Sequence, residues 1–205
     1  MFVTGGAGLL GRSFVEGIAN AGGKVVIADI NFENAKRLAE QVVKNHSHDS
    51  ALPVKMDITS KSSINSAIEN ILAKEGQIDV LVNNAYPRNK NYGKLFEEVS
   101  YHDFCENVNM HLGGYFLVSQ QFSKYFKVRK SGHIITISSI YGVCAPKFEI
   151  YEGTEMTMPV EYAVIKSALI HLNKFLTNYF KDSGIRFNTI SPGGIFDKQP
   201  KDFIK

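Results

Sequence analysis

Tyr162 and Lys166 stand four residues apart in Tyr162-Ala163-Val164-Ile165-Lys166. On a helix that spacing puts both side chains on one face, a turn apart. The pair has a chemical use. A phenol titrates near about 10 and is a poor base at neutral pH, but an ammonium beside it stabilises the phenolate. The phenol can then exchange a proton with a substrate oxygen. A nearby hydroxyl would hold that oxygen, and Ser138-Ser139 closes the apolar run His133–Ile137 where such a donor is wanted. Tyr-x-x-x-Lys is common on helix surfaces, so the pair gains meaning only from other groups in a fixed order along the chain.

The first of those groups is Thr4-Gly5-Gly6-Ala7-Gly8-Leu9-Leu10-Gly11, after a short apolar run and before a helical pattern. Glycines at 5, 8 and 11 permit a tight turn, close approach of backbone to a pyrophosphate and close packing of helix on strand, with the phosphate charge on the helix N-terminus. Asp29 lies 18 residues beyond Gly11 and closes Val25-Val26-Ile27-Ala28. A carboxylate there accepts hydrogen bonds from ribose hydroxyls and repels a 2′-phosphate. Neither Arg nor Lys follows it (Ile30, Asn31, Phe32), which favours NAD over NADP. A solvated Asp after a strand is the plainer alternative. Asp57-Ile58, where a carboxylate can meet the adenine amino group, and Asn83-Asn84-Ala85, with small and amide side chains for a groove floor, follow two further apolar runs.

These groups need a frame that brings strand ends together. Short β-branched runs at Phe2–Thr4, Lys24–Ala28, Ala51–Met56, Asp79–Asn83, His133–Ser138 and Ile185–Ile190 alternate with helical patterns near 11–21, 32–45, 61–74, 100–127 and 160–182. That alternation predicts parallel βαβ units. Runs such as Val80-Leu81-Val82 are apolar on both faces, as a sheet covered by helices on both sides requires. Right-handed crossovers then give an α/β fold with a doubly wound parallel sheet, a three-layer Rossmann-type αβα, whose ligands collect outside the carboxyl ends of the strands. The stretch 144–159 is irregular, carries Pro146, Gly153 and Pro159, and reads as a long loop suited to a lid or binding surface.

Bulk composition removes other classes. The 205 residues suit one domain, 1–205, and 44% hydrophobic with 21% charged residues is ordinary for a soluble protein. A net charge of +3 without Lys/Arg runs does not argue for nucleic acid or an anionic membrane. No apolar run approaches the ~20 residues that span a bilayer, and no signal-peptide pattern opens the chain. Cys105 and Cys144 read as reduced thiols of a cytoplasmic protein. The expected partner is a small-molecule substrate.

Taken in order, Thr4-Gly5…Gly8…Gly11, Asp57-Ile58, Asn83-Asn84-Ala85, Ser139, Tyr162…Lys166 and Ser191-Pro192-Gly193-Gly194-Ile195 resemble the short-chain dehydrogenase/reductase family over essentially the whole chain. The resemblance implies an NAD(P)-dependent oxidoreductase acting on a secondary alcohol or carbonyl. Tyr162 would be the general acid/base and Ser139 would orient the substrate oxygen. Lys166 would bind the nicotinamide ribose and stabilise the phenolate. Gly5, Gly8, Leu10, Gly11, Asp29, Asp57, Ile58, Asn84, Ala85, Pro192 and Gly193 would hold the cofactor, with Ile195 beside the nicotinamide amide. Ser139 is preferred to Ser138 because the family's serine stands three residues before a glycine, here Gly142. The segments Ile137–Gly142 and Met158–Tyr162 are similar to members linked to bacterial surface-sugar or flagellin-glycan synthesis, which implies a hydroxylated, nucleotide-linked sugar as substrate.

Departures from the pattern are equally informative. The Gly-x-x-Gly-x-x-Gly spacing is that of the family's extended branch, and the usual glycine after Asn-Asn-Ala is Tyr86, a bulky ring near the cofactor or pocket mouth. Tyr162 follows Ser139 by 23 positions, more than the family norm; the excess is the 144–159 stretch, expected to shape substrate choice. The family's fourth catalytic residue, an Asn in the long helix, aligns with His111, while Asn107 and Asn109 fall four and two positions earlier. Either His111 carries the relay, or the helix shifts to present Asn109, or water substitutes; His111 is favoured at the position. Members carry a further substrate loop, helix and strand after the Pro-Gly turn, so this sheet is expected to lack the last strand and helix and to have weaker oligomer contacts. A non-catalytic dinucleotide-binding sensor, or an inactive truncated member, is the rival reading.

Overall fold

The apolar runs become six strands: β1 (Phe2–Thr4), β2 (Val25–Asp29), β3 (Ala51–Lys55), β4 (Val80–Asn83), β5 (Gly132–Ile137) and β6 (Ile185–Ile190). This computed structural model describes residues 1–46, 49–197 and 199. All neighbouring strands pair in parallel, in the order β3-β2-β1-β4-β5-β6. The order reverses between β1 and β4, so their carboxyl ends diverge and open a crevice there. The chain is thus α/β with a doubly wound parallel sheet.

The crossovers are α1 (Leu9–Asn20), α2 (Phe32–Asn45), α3 (Lys61–Glu75), α4 (Tyr101–Val108) with α5 (Gly114–Arg129), and α6 (Val160–Tyr179). Helix starts follow local chemistry. Asn31, Ser60 and Ser100 accept the amides of Asn34, Ser63 and Asp103 and so cap α2, α3 and α4. α1 differs: Gly8 stands at its N-cap, with no side-chain cap and no acid in the first turn.

The continuous helix predicted over 100–127 is broken. Residues Asn109–Gly113 form a π turn between α4 and α5, which inserts an extra residue and reorients the side chains it carries. Gly114 belongs to this arrangement, since a Cβ there would stand 2.6 Å from Ile58 Cδ1.

Two cores flank the sheet. One packs α3, α5 and α6 through Ile64, Ile68, Phe122, Phe126, Ile165 and Leu169 against Phe2, Leu81 and Ile134. The other packs α1 and α2 through Val15, Ala19, Leu38 and Val42 against Val3, Val25 and Ile27. Truncating a fully buried ring such as Phe122 would cost about 3–5 kcal/mol. The expectation of helices over both faces holds for the central strands only. On β6, Arg186, Asn188 and Ile190 point away from the first core and are exposed, and His133 meets Asn188 across β5 and β6 on that open side. Among the described residues no helix covers this part of the sheet, so β6 alternates apolar and polar where β1 is buried throughout. Among the same residues no helix is long and apolar enough to cross a membrane. Cys105 and Cys144 are exposed free thiols.

Candidate active site

A cleft of about 920 Å³ runs along the carboxyl ends of the strands. Every residue predicted for cofactor binding lines it: Gly5, Gly8, Leu10, Gly11, Asp29, Asp57, Ile58, Asn84, Ala85, Pro192, Gly193 and Ile195, with Tyr162 and Lys166. Ser139 lines it too, whereas His111 does not.

At one end the glycine turn is shaped by contacts that a side chain would destroy. Gly5 has φ +60°, and a Cβ on it would stand 2.7 Å from Ala85 Cα. A Cβ on Gly11 would stand 2.1 Å from the Gly5 carbonyl oxygen. The turn therefore lies flat against the chain leaving β4, and the uncapped amides of α1 face an open cradle suited to phosphate. Asn84 has a more structural part than predicted. Its Nδ2 donates to the carbonyls of Thr4 (3.0 Å) and Gly5 (3.2 Å), while the fully buried Thr4 hydroxyl accepts the amides of Asn84 and Ala85. The two diverging strand ends are thereby locked together. Asp29 accepts the amides of Ala7 (3.1 Å) and Asn31 (3.0 Å), which aims its carboxylate between the glycine turn and α2. Asp57 Oδ1 is taken by the amide and hydroxyl of Thr59.

At the other end β5 delivers two serines with different tasks. Ser138 donates to the Lys166 carbonyl at 2.7 Å and is structural. Ser139, 5% exposed, opens the 3₁₀ turn Ile140–Gly142 and accepts the Tyr141 amide. Gly142 is required there, because a Cβ would meet the Lys166 backbone at 2.7 Å. This close approach presses the serine turn onto α6 beside Tyr162 and Lys166. Lys166 is buried, donates to the Ile137 carbonyl (2.9 Å), and has its Nζ 5.5 Å from the Tyr162 ring centroid. Burial lowers its pKa from 10.5 to about 8, so the ammonium persists at neutral pH at an energetic cost.

The π turn sends His111 inward and leaves Asn109 exposed, away from the cleft. Asn107 is buried and occupied: it accepts the Asn89 amide and donates to Glu161 Oε1. His111, 1% exposed, packs behind Tyr86 (ring centroids 5.1 Å) and against Tyr115. Its Nε2 has no partner among the described residues. Burial, then the Lys166 charge, holds its pKa well below the ordinary histidine value, so the ring is neutral.

Tyr86 is the centre of a cluster that sequence reasoning only half anticipated. Its ring stands edge-on to Tyr162 and to Tyr92, both at 5.8 Å, and its hydroxyl donates to that of Tyr92. Burial raises the Tyr86 pKa to about 12. The 144–159 stretch closes over this side: Tyr151 and Met156–Pro159 line the cleft, and the Thr157 hydroxyl donates to the Gly93 carbonyl. Tyr92, Arg88 and Thr157 were not singled out from sequence. The bulky residue at 86 was the one available signal.

Compared with known proteins, residues 1–198 match the short chain dehydrogenase family. The chain is 42% identical, over its whole length and 80% of the relative's, to post-translational flagellin modification protein A of Campylobacter coli. Among solved structures, a gluconate 5-dehydrogenase from Burkholderia cenocepacia, in complex with NADP and tartrate, superposes with TM-score 0.82 at 26% identity, covering 96% of this chain and 71% of that one. Sorbitol-6-phosphate 2-dehydrogenase from Erwinia amylovora superposes with TM-score 0.80 at 27% identity, covering 93% and 70%.

Proposed function

This chain belongs to the short-chain dehydrogenase/reductase family of oxidoreductases, and from that premise we propose that it interconverts a secondary alcohol and a carbonyl on a polyhydroxylated, sugar-like substrate with NAD(H). The observation that carries the reading is the convergence of Ser139, Tyr162 and Lys166 on one cleft with the Gly5–Gly11 turn. That turn fits the cofactor: a Cβ at Gly5 or Gly11 would fill its cradle, and the amides of α1 are uncapped. When bound, the nicotinamide supplies or accepts the hydride. Tyr162 gives or takes the proton at the substrate oxygen, and the Ser139 hydroxyl holds that oxygen in place. Lys166 keeps a positive charge beside the phenol. The carboxylate of Asp29, fixed by two amides, supports a preference for NAD. His111, whose ring packs against Tyr86 and whose Nε2 has no partner among the described residues, is the group that would complete the proton path. The sugar-like substrate is supported by the names of two solved neighbours, a sorbitol-6-phosphate and a gluconate dehydrogenase, and by the phenols of Tyr86, Tyr92, Tyr141 and Tyr151 along the wall. A homo-oligomer belongs to the same reading, supported by Phe116, Val128, Phe175 and Tyr179 left exposed on α5 and α6.

Replacing Tyr162 with Phe should lower turnover by about 10²–10⁴-fold while NADH binding, followed by fluorescence, persists. Retained turnover sinks the assignment. One observation favours a cofactor sensor instead: the Tyr86 ring lies between His111 and Tyr162. Tight NADH binding with no turnover across polyols and sugars would decide for the sensor.

A further inference from the structure

One charge at this cleft is not used by the proton-transfer set. Arg88 lines the cleft on the loop after β4, its guanidinium carbon 5.5 Å from the centroid of the Tyr86 ring, and that ring stands edge-on to Tyr162. The side chain is exposed, and among the described residues it has no carboxylate partner; the ion pairs there belong to Lys24, Lys94 and Arg129. The other cation lining the cleft, Lys166, is buried and committed to the Ile137 carbonyl. Of the acids lining the cleft, Asp29 and Asp57 belong to the cofactor end and Asp197 follows the Pro192–Ile195 turn. Beside the reacting phenol the cleft thus offers Arg88 as an exposed cation. The guanidinium lies against Tyr86, with whose hydroxyl it also shares a hydrogen bond, and of its five N–H donors others are left for a ligand. A planar fork held in this way suits two oxygens of one anionic group.

We propose that Arg88 anchors an anionic group, a carboxylate or a phosphate ester, on the same molecule that presents its hydroxyl to Tyr162. The proposal rests on the oxidoreductase reading of that site and names its substrate class. Tyr86 becomes a specificity-determining residue, because its ring holds the guanidinium while its edge bounds the place of the reacting carbon. The loop carrying Arg88 is clasped to the 144–159 stretch through Gly93 and Thr157, which sets the depth at which the anion can sit.

The test uses three probes on one carbon skeleton: a hexitol, its phosphate ester and the corresponding hexonate. Each is titrated calorimetrically into NADH-saturated protein, and turnover is measured in parallel. At least one anion should bind about 10- to 100-fold more tightly than the neutral hexitol. Arg88→Ala should collapse that preference, and Arg88→Lys should restore part of it, since charge returns without the fork. Whichever anion is preferred identifies the group. Equal binding of all three probes to the native protein overturns the proposal, as does a preference that survives Arg88→Ala. An equal loss of affinity for NADH itself also overturns it, because Arg88 would then be holding the cofactor's pyrophosphate. Binding is read separately from turnover, so an anion site in a protein that turns over none of the probes still stands while the oxidoreductase reading falls.

Discussion

Lys166 holds a positive charge in a buried place, and the cost of doing so can be measured. Its pKa falls from 10.5 to about 8 through burial. At about 1.4 kcal/mol per pH unit, the folded state carries a penalty of about 3 kcal/mol whenever the ammonium is present in both states. The sign follows from proton counting. Between pH 8 and 10.5 the unfolded chain binds a proton that the folded chain has released, so folding grows more favourable as pH rises. Below pH 8 both states are protonated and the full penalty stands. Lys166→Met removes the titration and leaves the packing volume nearly filled, although it strands the Ile137 carbonyl. That stranded carbonyl shifts the absolute stability by about 1–3 kcal/mol but does not vary with pH. The informative quantity is therefore the difference between native and variant protein as pH changes. Relative to the variant, the native protein should gain about 2 kcal/mol between about pH 7 and pH 9.5. For a chain of this size that narrows or widens the gap in melting temperature by about 4–8 °C. Urea titrations and thermal melts without cofactor would read it, and the variant should be inactive throughout. Parallel stability curves for the two proteins would refute the reasoning, because the ammonium would then be as well solvated folded as unfolded.

Gly11→Ala places a methyl 2.1 Å from the Gly5 carbonyl with backbone on both sides; it should destabilise by about 1–3 kcal/mol and abolish the rise in melting temperature that NADH gives to the native protein. Asp29→Asn keeps an acceptor for one of the two amides, Ala7 and Asn31, that bond to separate carboxylate oxygens, and removes the charge; the ratio of NADH to NADPH affinity should fall by about tenfold, and an unchanged ratio would separate Asp29 from cofactor choice. His111→Leu deletes a buried nitrogen without a partner, so a urea titration should show stability held or raised by about 1 kcal/mol. Turnover of that variant should fall if the imidazole joins the proton path, and undiminished turnover would assign His111 to packing alone.

Much of the frame was legible because its signals are local. The β-branched runs ending at Thr4, Asn83 and Ile137 are long enough, and apolar enough on both faces, to place central strands. Their order along the chain then dictates which ends meet. Ser139 could be separated from Ser138 because Gly142 marks where the turn must touch α6. The π turn at Asn109–Gly113 was not legible, since a single added residue barely disturbs helical periodicity over so long a stretch. The burial of His111 behind Tyr86 joins residues 25 positions apart and depends on that turn. Asn84 was assigned to the groove floor by residue type, yet its amide spans to Thr4 and Gly5, about 80 residues away, a pairing that only the strand order creates. The open side of β5 and β6 left a trace in the alternation Ile185-Arg186-Phe187-Asn188, which was counted as a strand without being read as half-exposed.

The Thr4 hydroxyl, fully buried and accepting two amides from the far side of the strand reversal, gives the two ends of the cleft unequal lifetimes. The amides of Asn84 and Ala85 cannot meet solvent without parting β1 from β4, an event close to global unfolding. Their hydrogen exchange should therefore run slower than that of the amides in the 144–159 stretch. The wall opposite is held, among the described residues, by a threonine hydroxyl on the Gly93 carbonyl, so it can open with the core intact. A dinucleotide would be held in a seat as durable as the fold, while the smaller ligand enters and leaves past a latch that opens many times in each unfolding interval.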